Sequence, residues 1–231
     1  MLNANRNKGE LKVQSLEFKV FGFWIKIESE RYKTMTKNLA LVQAHPIFSD
    51  SDYLKFERFA GERHEFLDGS VYAMAGESPD HSTICFNLYT IVGLQLRGKN
   101  CRGFSPNMKV ATNEAGLFSY PDLIIVCGKP LFFDEKSDVL TNPTVIFEVL
   151  SPSTENYDRG EKFLRYTNYI ETLQDYVLIS QDKPLIEHYS KQDNVAWTKS
   201  EIEGLNAVLK LDSISCEIVL AELYDLIDFA A

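Results

Sequence analysis

The sequence predicts an α/β domain: a mixed central sheet flanked by helices, with extra antiparallel strands. Two patterns carry the α/β reading. Helical and strand-like segments alternate through the middle of the chain, and the C-terminal third supplies short strands at close spacing. A third observation concerns chemistry. The run "NPTVIFEVLSPST" at 142–154 reads as a buried strand over 144–150, rich in β-branched and aromatic residues, yet it carries Glu148 among apolar neighbours.

The elements follow in order. Residues 51–60, "SDYLKFERFA", read as a short helix with a Ser-Asp cap. "HEFLDGSVYAMAG" reads as a hairpin, with strands at 64–67 and 71–74 and an Asp68-Gly69 turn. From 82 to 96, Ile84, Leu88, Ile91, Val92 and Leu96 recur at helical spacing. Strands are expected near 101–112, 120–127 and 144–150. "DRGE" at 158–161 has the form of a capping box, so the next helix is expected to begin at Asp158. "DYVLIS" at 175–180 is a further strand. "LIEHYS", "AWTKSEI" and "AVLKL" are short antiparallel strands, and an amphipathic helix is expected around 219–227.

Residues 1–49 differ from the rest. "LEFKVFGFWIKI" is strand-like, and Met35-Thr36-Lys37 is itself compatible with a start. The expected organisation is an N-terminal extension, 1–49, whose first 34 residues are dispensable, followed by one domain, 50–231.

Composition narrows the function classes. The chain of 231 residues has a formal net charge of −9. Residues 1–40 carry eight Lys/Arg and four Asp/Glu, or +4, which leaves 16 and 29, or −13, for the remainder. That excludes a generally cationic nucleic-acid coat. Within the acidic body, residues 81–112 contain Arg97, Lys99, Arg102 and Lys109 and no acid, a strip able to steer a phosphate backbone. No apolar run approaches the roughly 20 residues of a membrane helix, and no signal-peptide pattern is seen, so a cytoplasmic protein is expected. Cys85, Cys101, Cys127 and Cys216 form no C-x-x-C pair and are expected to be reduced, mostly buried thiols. The four histidines show no zinc-type spacing and no Cys/His cluster, so a zinc site is not expected.

The candidate chemistry rests on two acids. Tyr120-Pro121-Asp122 opens an apolar strand, and Asp122 shares a face with Ile124 and Val126, as Glu148 does with Ile146 and Leu150. If the strands pair, the two carboxylates converge. Two buried acids cannot both ionise cheaply without a cation between them, and a hard ion with oxygen ligands, Mg²⁺ or Mn²⁺, resolves the conflict. Lys162 lies early in the following helix, four residues after Asp158, placed to lean over that strand end and stabilise charge. His81 reads as local structure at a helix start.

Together "PD" at 121–122, "EVLSPST" at 148–154 and D-x-x-x-K at 158–162 resemble the Uma-two family of restriction endonucleases, part of the PD-(D/E)XK nuclease superfamily. The likeness also takes in "HEFLDGSVYAMAG", "HSTICFNL" and "YVLIS", over roughly residues 50–228. It implies a restriction-endonuclease-like core and a Mg²⁺-dependent DNA endonuclease in which Asp122 and Glu148 hold the metal and Lys162 is catalytic. The superfamily's usual lysine position is Leu150 here, and the resemblance implies that Lys162 replaces it. Glu65 would be a further acid that assists or binds a second ion. DNA is the expected substrate, and a homodimer would supply two sites for two strands. The alternative is a catalytically silent nuclease-fold module that binds DNA or protein.

Overall fold

A computed structural model describes residues 15–20, 23–28, 48–112, 116–192 and 196–229. The chain divides into two units, Met1–Pro46 and Ile47–Ala231. In the first, where the sequence reads as strand-like, strands β1 (Ser15–Val20) and β2 (Phe23–Glu28) pair antiparallel. Met35 and most of the proposed extension lie outside the described residues.

The second unit opens with helix α1 (Asp50–Glu57), the β3 (His64–Leu67) and β4 (Ser70–Ala73) hairpin, and helix α2 (Pro79–Gln95). Strands β5 (Cys101–Phe104), β6 (Lys109–Thr112), β7 (Leu117–Ser119), β8 (Leu123–Cys127), β9 (Val139–Leu140) and β10 (Val145–Val149) follow. Next come a helical segment α3 (Glu155–Tyr157), a π-helical turn (Asp158–Lys162) and helix α4 (Phe163–Tyr169). The chain then forms β11 (Asp175–Ile179), β12 (Leu185–Gln192), β13 (Ala196–Glu203), β14 (Val208–Leu211), β15 (Cys216–Val219) and α5 (Leu220–Leu223).

Two mixed sheets result. One has the order β13-β12-β11-β10-β8-β5, with β10 and β11 parallel and the other neighbours antiparallel. The other has the order β4-β3-β7-β6-β9, with only β6 and β9 parallel. Parallel strands cannot be joined by a hairpin, so the chain between β10 and β11 must cross over, and the α3–π–α4 segment makes that crossing.

Alternation along β8 and β10 decides what faces what. Leu123, Ile125, Phe147 and Val149 pack with Ile84, Cys85, Leu88 and Val92 of α2. Ile124, Val126 and Ile146 face the opposite way and pack with Tyr166 of α4 and with Val110 and Leu117 of the second sheet. Tyr53 and Leu54 of α1 cover that sheet's other face, against Phe66, Ala111 and Phe118.

Local signals explain several ends. The Ser49 side chain accepts the Asp52 N–H at the start of α1. Asp68 and Gly69 both take positive φ, 48° and 85°, as a two-residue hairpin turn between β3 and β4 requires. Helix α2 starts earlier than the periodicity predicts, at Pro79 with Ser78 as its cap.

Three expectations are corrected. Asp158 is not an N-cap: helical backbone has already begun at Glu155, and Asp158 opens a π-helical turn with its carboxylate buried. The final helix spans only Leu220–Leu223, and Leu226 already has a positive φ of 66°. Cys101 and Cys127 are joined in a disulfide rather than reduced, because the β5–β8 register sets them directly opposite one another; Cys85 and Cys216 are free and buried.

An ion cluster ties α1 to the second sheet. Arg58 Nη2 reaches Asp134 Oδ2 at 2.7 Å and Asp138 Oδ1 at 2.6 Å, and Lys109 Nζ lies 3.1 Å from Asp138 Oδ2. Partial burial alone would raise the Asp138 carboxyl, but hydrogen bonds from Arg58 and Lys109 override it and hold the pKa down to about 2. A depressed carboxylate stabilises the fold above its unfolded pKa and loses that contribution as pH falls through the folded value. The two carboxylates are about a third exposed, so Arg58→Met should cost about 1 kcal/mol at neutral pH. In denaturant melts that deficit should shrink between about pH 4 and about pH 2.

Candidate active site

The Tyr120-Pro121-Asp122 segment carries the chain from β7 in one sheet to β8 in the other. Proline suits this crossing, because it has no N–H that a ladder must satisfy. The Tyr120 N–H donates to Glu65 Oε1 at 3.3 Å, linking the crossing to β3. Asp122 is held at two points. Its Oδ2 accepts the Val149 N–H at 2.7 Å, and its carbonyl accepts the Tyr89 hydroxyl at 2.8 Å. His81 Nε2 lies 3.3 Å from the same Oδ2.

Phe147 pairs with Leu123, so one further step of that register sets Glu148 across from Asp122. Glu148 is buried on the α4 side, where the crossover brings Lys162 over it. Lys162 Nζ lies 3.2 Å from Glu148 Oε1, 3.1 Å from Glu65 Oε1 and 3.1 Å from Asp158 Oδ1. The same ammonium is 5.5 Å from the centre of the Tyr157 ring. Three carboxylates from β3, β10 and the π-helical turn thus share one cation. Single π-helical turns of this kind recur at functional sites, because they re-aim side chains out of ordinary helical phase.

Burial alone would lower the Lys162 pKa, but Glu148, Glu65 and Asp158 outweigh it and hold it well above the ordinary lysine value. Lys162 is therefore an ammonium and a donor, not a base. Burial raises the Glu148 carboxyl well above the ordinary range; Lys162 opposes this, while Asp158, Asp122 and Glu65 add to it. His81 is pushed up to about 11: burial works against its charge, and Asp122 and Cys85 override it.

Asp122, Glu148, Lys162 and Glu65 accordingly occupy one neighbourhood. Glu148, Lys162 and Glu65 are in direct contact, and Asp122 stands beside Glu148 with its Oδ2 taken by Val149 and facing His81. Sequence reasoning missed His81 as a partner of Asp122. The two are 41 positions apart, and nothing local marks the contact.

Residues 50–222 match the family model Uma2, described as "Putative restriction endonuclease". The chain belongs to the Uma2 family. Two curated relatives, both from Synechocystis sp. (strain ATCC 27184 / PCC 6803 / Kazusa), are the uncharacterized proteins sll1609 and slr1290. The first is 33% identical over 74% of this chain and 97% of its own length, and the second 35% identical over 78% and 92%. A crystal structure from Anabaena variabilis ATCC 29413, described as "a putative nuclease belonging to DUF820", shares the fold. Its TM-score is 0.62 at 15% identity, covering 75% of this chain and 96% of that one.

The Uma2 site fits a hard divalent cation. Three carboxylates (Glu65, Glu148 and Asp158) meet one lysine ammonium, which leaves negative charge in excess around Lys162, and Asp122 stands beside Glu148. Asp158 Oδ1 is buried and, although near Lys162, makes no hydrogen bond among the described residues. Nor does any hydrogen bond reach Asp122 Oδ1 or Glu148 Oε2 among those residues. All the spare donors are carboxylate oxygens, the ligand type Mg²⁺ and Mn²⁺ take.

A neutral replacement of Glu148 should therefore stabilise the metal-free protein. A carboxyl with a raised folded pKa contributes fully below its unfolded pKa, and that contribution is lost as pH rises through the folded value. Glu148→Gln should melt at the same temperature as wild type below about pH 4. In chelator at neutral pH it should melt about 2–4 °C higher. Added Mg²⁺ should raise the melting temperature of wild type and not of the variant, as read by circular dichroism.

Proposed function

We propose that this Uma2 domain is a metal-dependent endonuclease that hydrolyses DNA phosphodiester bonds. The observation carrying the reading is the 3.2 Å contact between Glu148 and Lys162 beside the PD turn, with spare carboxylate oxygens at the same place. Asp122 and Glu148 would hold Mg²⁺, for which Mn²⁺ would substitute. When bound, the ion supplies a positive centre that stabilises charge on the phosphoryl oxygens.

The chain's own residues do the rest. Lys162 keeps its proton throughout, so it acts by donating to the attacking water or to the phosphate, where charge builds in the transition state. Glu65 shares Lys162 with Glu148 and aims the ammonium. The Val149 N–H and Tyr89 fix Asp122 before substrate arrives, so no reorganisation is needed at that end of the site. Two such sites on a homodimer would cut both strands of a duplex.

The steering strip needs correction. Lys109 is buried and paired with Asp138, and Lys99 donates to the carbonyls of Ile214 and Ser215. Arg97 and Arg102 remain exposed and line one groove with Tyr89 and Phe104. These two are the residues of the strip available to a phosphate backbone.

Purified protein should nick supercoiled plasmid with Mg²⁺ or Mn²⁺ and lose that activity in chelator. Asp122→Ala, Glu148→Gln and Lys162→Met should each lower the rate at least about a hundredfold. Plasmid, single-stranded DNA and RNA together define the substrate. Wild type indistinguishable from Asp122→Ala on all three would refute the reading. Duplex binding without turnover, and without Mn²⁺ uptake by calorimetry, would favour the silent binding module.

A further inference from the structure

Helix α2 carries a second group of metal-binding donors that the proposed hydrolysis does not use. His81 and Cys85 lie four residues apart on one face of the helix, and Glu77, just before the Ser78 cap, turns its carboxylate back to His81. His81 Nδ1 lies 3.0 Å from Glu77 Oε2 and 3.6 Å from Cys85 Sγ. One ligand atom from each residue falls within 4.8 Å of the other two. A tetrahedral zinc site with bonds of about 2.3 Å to sulfur and about 2.1 Å to nitrogen and oxygen needs about 3.6 Å between sulfur and nitrogen. It needs about 3.4 Å between nitrogen and oxygen.

The other ring nitrogen provides an independent observation. His81 Nε2 faces Asp122 Oδ2 at 3.3 Å. A carboxylate on one imidazole nitrogen is the arrangement that orients a ligating histidine, and a metal at the opposite nitrogen replaces the proton that Nδ1 donates to Glu77 in the free protein. Here that opposite nitrogen is the one aimed at Glu77 and Cys85. Cys85 is buried, whereas the Glu77 side chain is half exposed, so the group has a soft inner end and an outer end open to water.

We propose that Glu77, His81 and Cys85 form a binding site for a thiophilic divalent cation of the zinc class. A thiolate and an imidazole select such ions over Mg²⁺, whereas the group around Glu148 offers oxygen alone. The two sites share no ligand; Asp122 connects them, because it belongs to one and orients His81 in the other. Occupancy ties the start of α2 to the PD turn. The inference stands apart from the nuclease reading, since it concerns what the three side chains hold, not what is cut.

Metal-stripped full-length protein, with Cys101–Cys127 kept oxidised, would be titrated with Co²⁺. The expected result is one equivalent of Co²⁺ bound with a sulfur-to-cobalt charge-transfer band, displaced by Zn²⁺ and not by excess Mg²⁺. Cys85→Ser should abolish the band, and Cys216→Ser, the other free cysteine, should keep it. Glu77→Gln, an exposed change that leaves packing alone, should weaken Co²⁺ binding at least about tenfold. Should Cys85→Ser not fold, Glu77→Gln decides. Absence of the band in wild type, its persistence in Cys85→Ser, or unchanged affinity in Glu77→Gln each overturns the proposal. Because the readout is the sulfur band, it is unaffected by whether plasmid is nicked.

Discussion

One buried ammonium holds the architecture of the site together. Lys162 Nζ meets Glu65 from one sheet, Glu148 from the other, and Asp158 from the crossover that joins β10 to β11. Without it, three carboxylates would face one another at low exposure, and removing one partner of a buried pair typically costs about 3–5 kcal/mol. Even with it, burial holds the Glu148 carboxyl raised, and Asp158, Asp122 and Glu65 add to the shift. A chain selected for stability alone would place an apolar residue at 148, among Ile146, Phe147 and Val149. On the proposed reading, a bound cation completes the charge around this acid.

The topology follows from the need to bring those groups together. A parallel β10–β11 pair forces a crossover, and the crossover delivers Asp158 and Lys162 to the end of β10. Asp158 and Lys162, four residues apart on the π-helical turn, both point inward and both are buried. The PD turn passes from one sheet to the other beside this point, which is why Glu65 on β3 and Glu148 on β10 can reach a common lysine. Helix α2 covers the opposite face and supplies Tyr89 and His81 to Asp122.

What could be read in the sequence was whatever conflicted with its immediate surroundings. Glu148 stands out because a charge interrupts an apolar run, and Asp122 because a proline-acid pair opens one. Contacts between distant positions left no such mark. The Asp122–His81 contact and the Cys101–Cys127 bridge depend on how α2, β5 and β8 are laid side by side. Asp158 illustrates a rule that was locally sound and lost to tertiary structure: its D-x-x-E pattern fits a capping box, but the salt bridge to Lys162 holds it within the helical run. The basic strip failed for a related reason. Charge counted along the chain cannot separate a lysine that serves the fold, such as Lys109 on Asp138, from an arginine that is left exposed.

That distinction bears on how an acidic domain could engage DNA. With Lys99 and Lys109 committed internally, Arg97 and Arg102 mark one groove of about 470 Å³ between α2 and the edge strand β5. The groove is lined mainly by apolar side chains, including Tyr89 and Phe104, and the Tyr89 hydroxyl also touches the Asp122 carbonyl. A strand of nucleic acid lying there would meet few phosphate-binding cations and several surfaces suited to a base. Binding of that kind releases few counterions, so its affinity depends only weakly on salt. It draws instead on stacking. On the proposed reading, the metal that completes the site also offsets the repulsion between an acidic protein and its polyanionic substrate.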